Sequence, residues 1–177
     1  SSSFLVGLIN GMCHLHGIDF NKKMLSCTAN TIERFILREP GGFQDPIWAS
    51  HGGLNVIEFK NGQGNVEDYE ITPIKVCEND IDYIVSSLVL IYTGITRISG
   101  EITKTYNNTI DHQLSLIEIA RQGARAVKNL DVKTIGNLMH QNWLHKKSLS
   151  NSVSSNKIDE IYNHGLSKGS LGGKLIG

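Results

Sequence analysis

Apolar residues recur at helical spacing from the first turn of this chain. Phe4, Leu5, Leu8, Ile9, Met12 and Leu15 fall on one face, so residues 2–15 are predicted as an amphipathic helix opened by the hydroxyls of Ser1, Ser2 and Ser3. Gly7 and Gly11 each weaken such a helix by about 1 kcal/mol relative to alanine, which predicts close packing against a sheet. A second helix, capped by Asp19 or Asn21, carries Leu25, Ala29, Ile32 and Ile36 in one stripe with Glu33 at its border. Pro40-Gly41-Gly42 stops it. Gln44 and Asp45 then lead into a short helical or loop segment holding Trp48, and Gly52-Gly53 opens a strand at 54–59.

Asn61-Gly62-Gln63-Gly64-Asn65 is the strongest turn signal, and it sets the expected boundary between a first domain, 1–64, and a second, 65–177. Strands are predicted at 69–74 and 88–92. The pattern then becomes helical at 102–130, with an interruption, at 132–149 and at 158–167, and 148–155 reads as a serine-rich loop. Helices packed on mainly antiparallel strands make an α+β fold.

Composition narrows the function classes. A chain of 177 residues that is 40% hydrophobic can bury a core. Seventeen basic residues balance seventeen acidic ones, so no global field draws in nucleic acid or an anionic membrane. Cys13, Cys27 and Cys77 are odd in number and far apart, which gives neither a disulfide framework nor a Cys-x-x-Cys site and fits a cytoplasmic setting. The apolar run at 88–92 is far short of a membrane span, and no signal segment opens the chain. His14, His16, His140 and His145 lack zinc spacing, and no Gly-x-Ser-x-Gly nucleophile motif is present.

Phosphoryl transfer needs neutralised phosphate charge, a metal bridge and an oriented nucleophile, and the chain contains candidates for each. Hydroxyls at a helix start, beside free backbone amides, can hold phosphate oxygens, although a serine run is also an ordinary cap. Glu33 offers a hard oxygen to Mg²⁺, although a helix-edge glutamate is commonly a solvated charge. Asp45 sits on a glycine turn, as a proton acceptor or as a capping aspartate. Gly172-Gly173-Lys174 is not a Walker loop, since Lys168 and Leu175 stand where glycine and a hydroxyl residue are required.

Taken in order, the serine run, Gly41-Gly42-Phe43-Gln44-Asp45 with His51-Gly52-Gly53-Leu54-Asn55, the segment 92–97 and the closing Gly172-Gly173-Lys174-Leu175-Ile176-Gly177 resemble the galactokinase, homoserine kinase, mevalonate kinase and phosphomevalonate kinase (GHMP) superfamily. The likeness is greatest to its heptose 7-phosphate kinase branch. It implies the remainder of a ribosomal-protein-S5-like N-terminal domain followed by a ferredoxin-like C-terminal domain. The family's Gly-Leu-Gly before the serines and Ala-Gly-Gly-Gly after the last glycine are absent, so the chain is expected to be the interior of a kinase and inactive alone.

The resemblance further implies ATP and Mg²⁺ as cofactors, with Asp45 as the catalytic group and Ser2 and Glu33 as metal ligands. Ser1, Ser2, Ser3, Gly172 and Gly173 would line the nucleotide, and Gly42, Gln44, Thr96, Arg97 and Lys174 the substrate. Arg97 could grip a phosphate bidentately, and it could equally be a surface arginine. Lys146 and Lys147, following Trp143, resemble a family Trp-x-x-Lys-Lys stretch and also fit a solvated helix face. The implied reaction is phosphorylation of the anomeric hydroxyl of D-glycero-D-manno-heptose 7-phosphate, feeding nucleotide-sugar synthesis. The alternatives are a fucokinase- or galactokinase-like enzyme and a non-catalytic sugar-binding regulator.

Overall fold

The serine run does open a helix. In the computed structural model, which describes residues 2–60, 66–96 and 110–175, α1 spans Ser2–Leu15. Helix α2, Lys22–Thr31, starts at Asn21, whose side chain accepts the Met24 amide at 2.8 Å, so Asn21 and not Asp19 is the cap. It runs on into a π-helical turn, Ile32–Ile36, where the Leu37 amide reaches back to the Ile32 carbonyl at 2.8 Å. Single π turns of this kind are frequent at functional sites. Helix α3, Gln44–His51, ends at Gly52, whose left-handed φ of 64° and amide bond to the Trp48 carbonyl make the cap a side chain would strain.

These helices pack on one another through Val6, Leu25 and Ala29, with Leu5, Ile9, Phe20 and Ala49 against them. The expectation that Gly7 and Gly11 mark a sheet contact is corrected: a side chain at either would meet nothing within 4 Å. Val6, buried on the opposite side of that pattern, makes the contact instead, and Phe4 and Leu15 are left exposed.

Strand β1, Asn55–Phe59, pairs antiparallel with β2, Tyr69–Pro73, with Ile57 opposite Ile71 and Phe59 opposite Tyr69. Lys60 pairs with Glu70 on the outer face. The hairpin closes a first compact unit, Ser1–Pro73. The boundary expected at 64/65 thus falls inside the hairpin connection, and the unit continues to Pro73.

The second unit, Ile74–Gly177, contains α4, Glu78–Ser86, α5, Ile110–Lys128, α6, Val132–Ser148, a 3₁₀ turn at Asn151–Val153 and α7, Asn156–Ser167. The break near 130 comes from Leu130, which takes a left-handed φ of 57°, and from Asp131, which caps α6 by accepting the Thr134 amide. Ser155 caps α7 in the same way, so the helix starts at Asn156, two residues ahead of the start expected at 158. Trp143, Val153 and Ile158 form the core, with Ile95, Tyr162 and Leu175 against it.

Two expectations fail here. The strand at 88–92 is not formed: it has no ladder partner among the described residues, and Val89, Leu90 and Tyr92 stand 84%, 84% and 92% exposed. Helix α4 went unread because it is short, nine residues, and its cap is a cysteine, whose amide is held by Asp80. Among the described residues this unit has no strand, where the resemblance implies a ferredoxin-like sheet. With one hairpin and seven α-helices among the described residues, the chain is helix-dominated and compatible with an α+β class.

Candidate functional site

The first unit gathers three of the sequence-derived candidates around one cavity. Ser2 and Ser3, on the first turn of α1, and Asp45, on the first turn of α3, line a space of about 290 Å³ together with Trp48 and Ala49. Packing of α1 on α3 brings the first turns of both helices to this space. Asp45 is exposed, while Pro46 and Ile47 behind it are buried and fix the helix start.

Glu33 stands behind Ser2. It is 2% exposed, and its Oε2 accepts the Ser2 hydroxyl at 3.1 Å. The same oxygen takes the Arg34 Nη2 at 3.3 Å, while Oε1 has no hydrogen-bond partner. A buried carboxylate oxygen without a partner is costly unless something occupies it. One carboxylate and one hydroxyl, both hard oxygen donors, fit Mg²⁺, which takes its remaining oxygens from phosphates and water. Among the described residues no cluster of three or more His, Cys, Asp or Glu gathers as a cation site.

Two residues at this site were missed by sequence reasoning. Arg34, its side chain 12% exposed, donates from Nη1 to the Glu39 carbonyl at 2.6 Å and from Nη2 to the Gly42 carbonyl at 2.9 Å. Asn30, fully buried, donates to the Phe43 carbonyl at 3.2 Å. A polar stripe of Asn30, Glu33 and Arg34 at i, i+3 and i+4 on an otherwise apolar face was the available signal.

Of the substrate candidates in this unit, Gly42 lies in the loop held by Arg34, and the end of the exposed Gln44 side chain folds over it and would have to swing away from a Cβ there. Ser1 and Arg97 lie outside the described residues.

The remaining candidates belong to the second unit. Thr96 is exposed and follows Ile95, which is anchored in the core. Gly172 rests on the backbone of α6, where a Cβ would run into the Gly136 carbonyl and come within 2.7 Å of the His140 nitrogen. Gly173 lies against Tyr162 at ordinary van der Waals distance, so packing asks for glycine at Gly172 and not at Gly173. Lys174 is exposed at the rim of an apolar groove between α5 and α6. Trp143 is core, Lys147 pairs with Asp159 at 2.8 Å, and Lys146 reaches the Leu175 carbonyl, so the Trp-x-x-Lys-Lys stretch ties α6 to its surroundings. The Lys147 ammonium and the Ser154 hydroxyl hold the Asp159 carboxyl below its ordinary range. Among the described residues, no helix is long and apolar enough to cross a membrane.

No family model matches the chain. Over 183 residues it is 26% identical to D-glycero-alpha-D-manno-heptose 7-phosphate kinase of Campylobacter jejuni, a match covering all of this chain and 53% of that protein. Over 186 residues it is 22% identical to the bifunctional fucokinase/GDP-fucose pyrophosphorylase of Arabidopsis thaliana, again covering all of this chain but 17% of that protein. The chain therefore spans about half the length of the first relative and less than a fifth of the second. Similarity along its whole length to two sugar kinases supports a relationship between this chain and the GHMP-type sugar kinases.

Proposed function

We propose that this chain carries part of the active site of an ATP- and Mg²⁺-dependent sugar kinase. The observation that carries the proposal is the buried Ser2–Glu33 hydrogen bond standing behind a cavity that Ser2, Ser3 and Asp45 all line. Ser2 and the unpartnered Glu33 oxygen would hold the cation, and Ser3 with the α1 amides would bind phosphate oxygens. When bound, Mg²⁺ neutralises charge on the phosphates and orients them.

Asp45 takes the proton of the attacking hydroxyl. The sugar oxygen forms a bond to the γ-phosphorus as the bond from that phosphorus to the bridging oxygen breaks, releasing ADP. Gly42, Gln44, Thr96, Arg97 and Lys174 are assigned to the sugar, and Ser1, Gly172 and Gly173 to the nucleotide. The substrate we assign is the anomeric hydroxyl of a heptose 7-phosphate, in line with the first relative.

The test is phosphate transfer by the full-length protein, followed by ³¹P NMR, with heptose 7-phosphate, free fucose and free galactose as acceptors. Transfer to the sugar phosphate well above the free sugars is expected. Preference for a free sugar would replace the heptose assignment with the fucokinase- or galactokinase-like one, and binding without transfer to any acceptor would leave a sugar-binding regulator.

A further inference from the structure

The loop that delivers Asp45 to the cavity is held from behind by one turn of helix. Three successive attachment points, the carbonyls of Glu39, Gly42 and Phe43, receive donors from Arg34 Nη1, Arg34 Nη2 and Asn30 Nδ2 at 2.6, 2.9 and 3.2 Å. The same Arg34 nitrogen that binds the Gly42 carbonyl also contacts Glu33 Oε2. A planar guanidinium spans these acceptors in one fixed geometry, whereas an ammonium is a single rotatable point charge.

Gly41 is fitted to this group. A Cβ at Gly41 would come within 2.7 Å of Arg34 Nη1 and 2.9 Å of Nη2, so any larger residue would push the guanidinium off its carbonyls. Arg34 is also charge-compensated only through Glu33 Oε2 among the ion pairs described for it, which leaves Glu33 Oε1 without a partner.

We propose that Arg34 is the positioning residue that registers Asp45 against the Ser2–Glu33 pair, its guanidinium tying the carboxylate on the π turn to the loop three residues before Asp45. Arg34 touches neither phosphate nor sugar in this role. It acts through the loop, and through the choice of which Glu33 oxygen is left for a cation. The inference rests on the phosphotransfer reading above.

The experiment compares the full-length wild type with Arg34→Met and Arg34→Lys by amide hydrogen exchange and by steady-state kinetics on the same preparations. Arg34→Met is expected to speed exchange of the amides at 41–45 by about tenfold or more, because the loop loses two attachments. It should lower kcat about a hundredfold with the nucleotide KM within about threefold, the pattern of a misplaced reacting group. Arg34→Lys should fold as the wild type does yet recover little of kcat, and added methylguanidinium should restore part of the rate to Arg34→Met.

If Arg34→Met or Arg34→Lys keeps wild-type kcat with the loop amides still protected, the positioning role is overturned while the kinase reading stands. If kcat falls in Arg34→Met while loop exchange is unchanged, the role through the loop is overturned as well. If the wild type transfers no phosphate at all, the kinase reading fails and takes the positioning role with it, whatever exchange shows.

Discussion

Asp45 and Glu33 are both carboxylates near one cavity, yet their surroundings give them different tasks and different sensitivities. Asp45 is exposed and backed only by the turn of helix it begins, so Asp45→Asn is expected to leave unfolding free energy within about 0.5 kcal/mol of wild type. In the full-length protein it should lower kcat by about 10²–10⁴-fold with little change in nucleotide affinity. Unchanged turnover would remove the assignment. Glu33→Gln leaves a buried guanidinium without its counter-charge and is expected to cost about 3–5 kcal/mol in a urea titration, along with loss of Mg²⁺ dependence. Ser2, Glu33 and Asp45 could be picked out as candidates in the sequence because hydroxyl and carboxylate oxygens are the types that phosphoryl transfer would use. Arg34 and Asn30 were not, because a polar residue on a helix reads as solvated until the fold brings a loop's carbonyls over it.

At the scale of elements, Gly172 is seated where a Cβ meets the Gly136 carbonyl, so Gly172→Ala must separate the closing segment from α6. The expected cost is about 1–3 kcal/mol, read as a lower Tm of the second unit's helices by circular dichroism. A Tm equal to wild type would mean the segment is free to move away. In the first unit, α2, α3 and the hairpin meet at Tyr69, whose hydroxyl lies 2.6 Å from Ser26 Oγ and 3.0 Å from His51 Nε2. Ser26 spends its one hydrogen on the Lys23 carbonyl, so Tyr69 donates to Ser26 and His51 Nε2 donates to Tyr69. Burial, with the Lys22 charge nearby, holds the His51 pKa below its ordinary 6.5. The folded state therefore binds fewer protons than the unfolded one, and this part of the stability is full above about pH 6.5 and is lost as pH falls through the depressed value. Urea midpoints measured between about pH 5 and 8 should show that slope, and His51→Gln should flatten it. Burial raises the Tyr69 and Cys27 pKa values, so their contribution has the opposite sign and is lost as pH rises past 9 to 10. Helices with strong stripes or paired caps were legible. The strand at 88–92 was misread because an apolar run states only that a segment wants cover, and strand geometry requires a partner that the described residues do not provide.

Each unit has its own core, yet each also exposes large apolar side chains: Phe4, Leu15 and Ile36 in the first, and Val89, Leu90 and Tyr92 in the second, the last at 92%. Scattered apolar residues are ordinary on a protein surface, but a five-residue run from Leu88 to Tyr92 with every side chain exposed and no ladder partner among the described residues favours association. Net charge offers no resistance, since seventeen positive groups balance seventeen negative ones. The 177-residue chain by itself is therefore expected to bind a hydrophobic dye and to elute well above its 19.5 kDa mass in light-scattering chromatography at about neutral pH. Val89→Lys and Leu90→Lys together put charge on both faces of the run and should return much of the protein to monomer without lowering Tm, because neither side chain is packed in either core. A monomeric, dye-silent wild type would mean that 88–92 is covered within the chain. Association that persists in the double variant would move its source to the exposed face of α1, where Phe4 and Leu15 are the next residues to charge.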